Sequence, residues 1–249
     1  MIRKKYHNVE WLEFELLSGI KGLAHAVFLR HGGVSGPPYH SLNMGYSSGD
    51  ARDAVLHNRE VAQQILNISQ LVTGKQNHGK RVEMVNSNYV PTDFSDGLIT
   101  QEKGLGLLMT HADCQAALFY DPCHHAIANV HCGWRGNVQN IYRETILAMK
   151  DKVGTKPQDL LVCISPSLGP EAAEFINFKE ELPVSFRDYQ CKPYHFDLWE
   201  IAKDQLKNAG VLSHHIEIAS LCTVAHHEDF FSYRREKITG RNGTIAALR

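Results

Sequence analysis

One stretch, Met109 to Gly136 (MTHADCQAALFYDPCHHAIANVHCGWRG), sets cysteine, histidine, aspartate and arginine around two short apolar runs. Ala116–Tyr120 and Ala126–Val130 are too short for helices, and Asp121-Pro122 between them signals a turn, so they read as paired strands. In such a hairpin Cys114, just before the first strand, and His131, at the end of the second, lie side by side within ligand reach. Cysteine and histidine are soft or borderline donors of the kind a zinc ion takes.

His78 sits on a glycine-flanked turn, Gly74-Lys75-Gln76-Asn77-His78-Gly79, and gains interest only if the fold carries it to the Cys114/His131 pair. Asp113, beside Cys114, reads either as a group for proton transfer or orientation or as a satisfied turn carboxylate. Glycines flank Trp134-Arg135 at a helix start, a natural place to hold phosphate. The long Gly/Pro/Ser/Asn loop from Arg30 to Gly45 has amides that, with Arg30, could line an anion pocket. On its Gly-Gly pair alone, a surface turn is the better reading.

Around these residues the coarse elements follow. Trp11–Leu17 and Leu23–Leu29 read as strands, and Asp53–Ile68 as a helix whose Val55, Ala62, Ile65 and Leu66 fall mainly on one face. Strands are expected from Leu71, over Arg81–Val85, Asp96–Thr100 and Gly106–Met109, then at Leu160–Ser165, Ile216–Ala219 and Thr244–Leu248. Helices are expected from an N-cap at Asn137 to about Lys152, over Glu171–Glu181, and over Asp197–Ala209 with Gly210 as its stop. With no repeat, linker or low-complexity tract, residues 1–249 read as one domain: α+β, a mixed β-sheet layered with helices.

The bulk numbers exclude several classes. With 249 residues, 43% apolar and 21% charged, the chain can bury a proper core. Twenty-six Lys and Arg against 27 Asp and Glu leave a net charge of −1, too little excess positive charge for a nucleic-acid or anionic-membrane binder. No apolar run reaches spanning length, and MIRKKYHNVEW lacks a signal core, so a cytoplasmic location is expected. There the six cysteines are expected as thiols.

Taken in order, the runs Gln76-Asn77-His78, Ala112-Asp113-Cys114 and His131-Cys132-Gly133-Trp134-Arg135-Gly136 resemble the polyphenol oxidase/laccase-domain family. These are multicopper-oxidase-like proteins that include purine nucleoside phosphorylases of the human laccase domain-containing type. Arg30–Ser35, Ser41-Leu42-Asn43-Met44-Gly45, Asp96-Gly97-Leu98-Ile99-Thr100, Gly169-Pro170, Cys222-Thr223, Phe230–Arg235 and Gly240-Arg241 extend the match over nearly the whole chain. The resemblance implies zinc ligands His78, Cys114 and His131. It also implies phosphorolysis of adenosine, inosine and methylthioadenosine to base and ribose 1-phosphate (or its methylthio counterpart), with adenosine deamination alongside. Two departures stand out: Glu171-Ala172-Ala173 replaces a Cys-Cys-Tyr run, and Cys132 replaces an alanine. Cys132 reads as a neighbouring thiol, because adjacent strand residues point to opposite faces.

The chemistry follows from the ligand number. Three protein ligands leave a position for water or substrate, and zinc brings a bound water's pKa towards about 7. Such a hydroxide can attack C6 of adenine. Asp113, Cys114 and Arg135 are the candidate catalytic residues. Arg30, Asn43, Arg135, Arg234 and Arg241 are the candidates for substrate and phosphate, since guanidinium pairs well with phosphate. Arg235 reads as part of a solvated face. Trp134, Tyr233, Phe230 and Phe231 could stack a base, although aromatics at such positions are more often core. The alternatives are a copper-dependent phenol oxidase and a metal-free thiol enzyme with Cys114 activated by His131. The further histidines (His111, His124, His125, His214, His215, His226, His227) form no His-x-His pair of the sort a multinuclear copper cluster suggests.

Overall fold

A computed structural model describes residues 1–249 in full. Strands β1 (Ile2–Tyr6), β2 (Val9–Glu13) and β3 (Leu23–Phe28) precede helix α1 (Arg52–Leu66). Strands β4 (Gln70–Val72), β5 (Val82–Met84), β6 (Gly97–Thr100), β7 (Leu105–His111), β8 (Gln115–Asp121) and β9 (Ala126–Cys132) follow, then α2 (Trp134–Val138), α3 (Ile141–Val153) and β10 (Leu161–Ile164). The remainder is α4 (Phe178–Glu181), a small ribbon β11 (Gln190–Lys192) and β12 (His195–Phe196), α5 (Leu198–Asn208), β13 (Ile216–Ile218), α6 (Tyr233–Glu236) and β14 (Asn242–Leu248).

The mixed pairing expected from the sequence is divided between two six-stranded sheets, ordered β1-β2-β3-β14-β7-β4 and β13-β10-β8-β9-β6-β5. Leu105, Leu107, Met109, Leu118, Tyr120 and Ile127 pack between the sheets. Leu108 and Ile245 turn the other way, onto Ala62 and Leu66 of α1. Phe119, Ala128 and Val130 face Ile146, Met149 and Leu206 of α3 and α5. Both faces of the central strands are therefore covered, which is why AALFY and AIANV are unbroken apolar runs rather than alternating ones.

Four segments pass from one sheet to the other: residues 101–104, between β6 and β7, do so at the far end, and the other three lie together. Residues 73–81 join β4 to β5, Ala112-Asp113-Cys114 joins β7 to β8, and residues 219–241 join β13 to β14. The strand registers put all three at the same end of the sandwich, where β9 also finishes. Sheets packed face to face stand about 10 Å apart, so a mouth opens there, edged by loop residues.

Several boundaries differ from expectation. Asn137 lies inside α2; the cap of α3 is Asn140, whose side chain accepts from the Arg143 amide. Glu171–Glu181 is helical only from Phe178, because Ala173 and Phe175 are pulled into the bonding of the β11–β12 ribbon: Phe196 N donates to Ala173 O, and Phe175 N to Tyr194 O. Asp197 does cap α5, accepting from the Trp199 and Glu200 amides.

Candidate metal centre

At the mouth, the hairpin register places Ala116 opposite His131 and Gln115 opposite Cys132. His131 shares the between-sheet face with Ile127 and Asn129. Cys132 turns to the helix side, buried against α3 and held well above the ordinary thiol value by burial. One donor atom from each of His78, Cys114 and His131 lies within 4.8 Å of the others, a spacing that one ion could close with small side-chain movements. Two imidazoles and a thiol suit a transition metal by donor chemistry. The backbone also makes room for the set. A Cβ on Gly133 would stand 2.9 Å from His78 Cδ2 and 3.0 Å from Cys114 Sγ, so glycine is needed where the chain leaves β9.

A residue given no role on sequence grounds holds the set together. Fully buried Asp96, at the start of β6, accepts from His131 Nδ1 at 2.8 Å and from the backbone amides of Asn77, His78 and Gly79 at 3.1, 3.0 and 2.8 Å. This leaves the Nε2 edge of His131 toward the cluster and pins the loop on which His78 stands at φ +63°. A carboxylate behind a ligating histidine fixes its tautomer and raises its basicity. Burial would raise the Asp96 pKa, but the His131 contact and the amides hold it below the carboxylate range. Burial alone would push the Cys114 thiol up and the His131 imidazolium down. Facing each other, Cys114 is instead lowered and His131 raised. Gln76 braces the same loop, with its side chain bonded to the amide, carbonyl and hydroxyl of Thr110.

Of the other sequence candidates, Asp113, Arg135, Arg234 and Arg241 line clefts beside the cluster, whereas Arg30 and Asn43 line none. Asp113, at φ +93°, has both carboxylate oxygens engaged, accepting from Thr223 Oγ1 at 2.7 Å and the Arg234 amide at 2.6 Å. Its geometry is that of the turn carboxylate, tying the β7–β8 crossing to α6. Arg30 lines neither cleft: it donates to the carbonyls of His40 and His227 and to Glu236, and stacks on Phe231. The loop amides around it are spent on Ser41 and Asn58. Asn43 is wholly buried, with its oxygen accepting from the Gly45 and Arg241 amides and its NH₂ given to Ser48 and Asp50. Arg235 is not solvated, since it bonds three backbone carbonyls and Glu236. Phe230 and Phe231 are core.

Two clefts meet at the cluster, sharing His78, Ala112, Cys114 and Tyr233. The larger, of ≈ 740 Å³, is lined also by Arg59, Lys75, His131 and Arg241. The smaller, of ≈ 360 Å³, runs past Trp134, Arg135, Phe175, Leu198 and Arg234. Arg135 is exposed and lies over the Trp134 ring at 4.1 Å. Arg59 and Lys75 were missed on sequence grounds because neither stands in a matching motif.

Residues 24–249 match the family model described as multi-copper polyphenol oxidoreductase laccase. The chain is 35% identical over 244 residues to a protein of Bacteroides thetaiotaomicron named purine nucleoside phosphorylase, covering 90% of each. It is 33% identical to the Escherichia coli purine nucleoside phosphorylase YfiH, covering 92% of this chain and 95% of that one. The crystal structure of YlmD from Geobacillus stearothermophilus superposes with a TM-score of 0.87 at 28% identity, over 99% of this chain and 98% of that one.

Proposed function

This chain belongs to the multi-copper polyphenol oxidoreductase laccase family, and from that premise we propose that it is a metal-dependent purine nucleoside phosphorylase. Adenosine, inosine and methylthioadenosine are its substrates in this reading, with adenosine deamination as a side reaction. The observation that carries it is the convergence of His78, Cys114 and His131, from three separate segments, at the meeting point of two clefts. The naming of similar proteins as purine nucleoside phosphorylases supports the reaction class.

Zinc is the ion we assign to the three donors; when bound it supplies Lewis acidity beside the substrate. The chain's own residues do the rest. Asp96 orients His131, Asp113 fixes the turn that presents Cys114, and Arg135, stacked on Trp134, offers a guanidinium with no hydrogen-bond or ion-pair partner at the smaller cleft. A multicopper oxidase needs several copper sites, whereas one three-donor cluster is present. We place the protein in the cytoplasm, where a reducing medium keeps thiols free. All six cysteines are unpaired, and no helix is long and apolar enough to cross a membrane.

Metal analysis of the purified protein, followed by incubation with adenosine and phosphate, tests this reading. About one zinc per chain is expected, with adenine and ribose 1-phosphate as products and inosine as the minor one. Full activity after the metal has been stripped would overturn it.

A further inference from the structure

No Asp or Glu lines the larger cleft, although Arg59, Lys75 and Arg241 all do. Neither guanidinium is ion-paired. Arg59 donates from Nε and Nη2 to the Met44 carbonyl, at 2.9 and 2.6 Å, and lies over the Tyr46 ring at 4.1 Å. Arg241 donates from Nη1 to the carbonyls of Thr239 and Gly240, at 2.7 and 3.0 Å. Burial holds Arg59 down at about 10 and lowers Arg241 as well, against the opposing pull of Cys114 and Asp113 on Arg241. Lys75 is exposed; its carbonyl accepts from the Ser95 amide, and its ammonium has no hydrogen bond or ion pair within the protein.

One short segment aims both guanidiniums. Asn43 accepts from the Arg241 amide at 2.8 Å, the Met44 amide donates to the Arg241 carbonyl, and the Met44 carbonyl receives Arg59. A Cβ on Gly45 would stand 2.5 Å from Arg241 Cγ, so the glycine lets that side chain pass. Asn43-Met44-Gly45 is thus a scaffold for two arginines whose free N–H groups have only the cleft to serve. The smaller cleft differs: half of its lining is apolar, and it holds Trp134 and Phe175.

We propose that inorganic phosphate binds in the larger cleft on Arg59 and Arg241, with Lys75 at the rim, while the nucleoside base occupies the smaller cleft beyond Cys114. Asn43 is a positioning residue for that site. The assignment rests on the phosphorylase reading and locates its second substrate. It also suits the bond change. A phosphate oxygen forms the new bond to C1′ as the C1′–N9 bond breaks, with that electron pair leaving on N9 and the hydrogenphosphate proton passing to the base. Nucleophile and leaving base must then lie on opposite sides of the ribose. The two clefts supply two sides: His131 lines only the larger, and Cys132 and Gly133, past the turn of the strand, only the smaller.

The test measures inosine phosphorolysis by metal-loaded wild type, Arg241→Gln, Arg59→Lys and Lys75→Met while varying phosphate and nucleoside separately. Loss of a charge-assisted bond predicts a rise of about tenfold or more in KM for phosphate in Arg241→Gln. Smaller rises are expected in Arg59→Lys and Lys75→Met, with KM for inosine nearly unchanged throughout. Lys75→Met guards against misfolding because that side chain is exposed and its ammonium has no hydrogen bond or ion pair within the protein. Unchanged phosphate KM in all three, or a rise in inosine KM instead, overturns the subsite and leaves the phosphorylase reading standing. If wild type shows no phosphorolysis, that reading falls and calorimetry with inorganic phosphate alone decides the subsite. Binding by wild type that is weakened in Arg241→Gln upholds it; no binding by wild type removes it.

Discussion

The β8–β9 hairpin carries cysteine, histidine and aspartate at each of its ends, and the two ends do different things with them. At the turn, Asp121 accepts from the Cys123 and His124 amides at 2.8 and 3.1 Å and from His124 Nδ1 at 2.9 Å. All three residues are local in sequence, the Cys123 thiol is exposed, and its pKa is raised rather than lowered. At the open end the same types come from three distant segments, with Asp96 behind them and the donor atoms converging. A turn spends a carboxylate on neighbouring amides, whereas a sheet-crossing mouth lets a carboxylate spend itself on holding donors from elsewhere. Residue type is common to both ends; convergence belongs to one.

The sharpest way to break this contrast is to remove one thiol from each end. Cys114→Ala should lose its metal and roughly a thousandfold or more of kcat/KM, because a Lewis acid contributes several kcal/mol. Cys123→Ala should keep both, as elemental analysis and the phosphorolysis assay would show. Equal losses would make the two ends equivalent and end the argument.

The carboxylates give the next contrast. Asp96→Asn should weaken metal affinity by about 10–100-fold, read by competition with a chelating dye. Asp121→Asn should leave that affinity unchanged.

The smallest effect is on stability. Asp121→Asn loses its charge-assisted bonds and should cost about 1–2 kcal/mol in urea unfolding at neutral pH. The folded-state pKa of Asp121 is lowered, because the nearby Thr155 hydroxyl, the His124 contacts and the Cys123 amide together outweigh burial. Its contribution is therefore present above the unfolded carboxylate value and lost as pH falls through the folded one. The gap between wild type and variant should close below about pH 4. A gap that persists there would mean the bonds do not depend on the charge.

Much of the frame could be read from short-range pattern. The hairpin, α1, the capped helix α5 and the final strand rest on apolar periodicity and turn or cap chemistry, which act over a few residues. What escaped depends on distant partners. Glu171–Glu181 looks helical alone, but the β11–β12 ribbon claims its first half. Arg235 looks solvated until three carbonyls close around it. Asp96 stood in a matching run, yet nothing local tells a strand-start aspartate that caps a distant histidine from one that faces water.

Sequence by itself determined the β8–β9 hairpin, the turn at Asp121-Pro122 and that neighbouring residues of β9 face opposite ways, because the backbone alternates with a period of two whatever surrounds it. It therefore separated His131 from Cys132 before any fold was in hand. Only the tertiary structure decided that His78 reaches Cys114, that Arg30 lines neither cleft, and that Arg59 and Arg241 share one. Those outcomes depend on where three crossings leave one sheet for the other, and hence on packing between residues far apart in the chain.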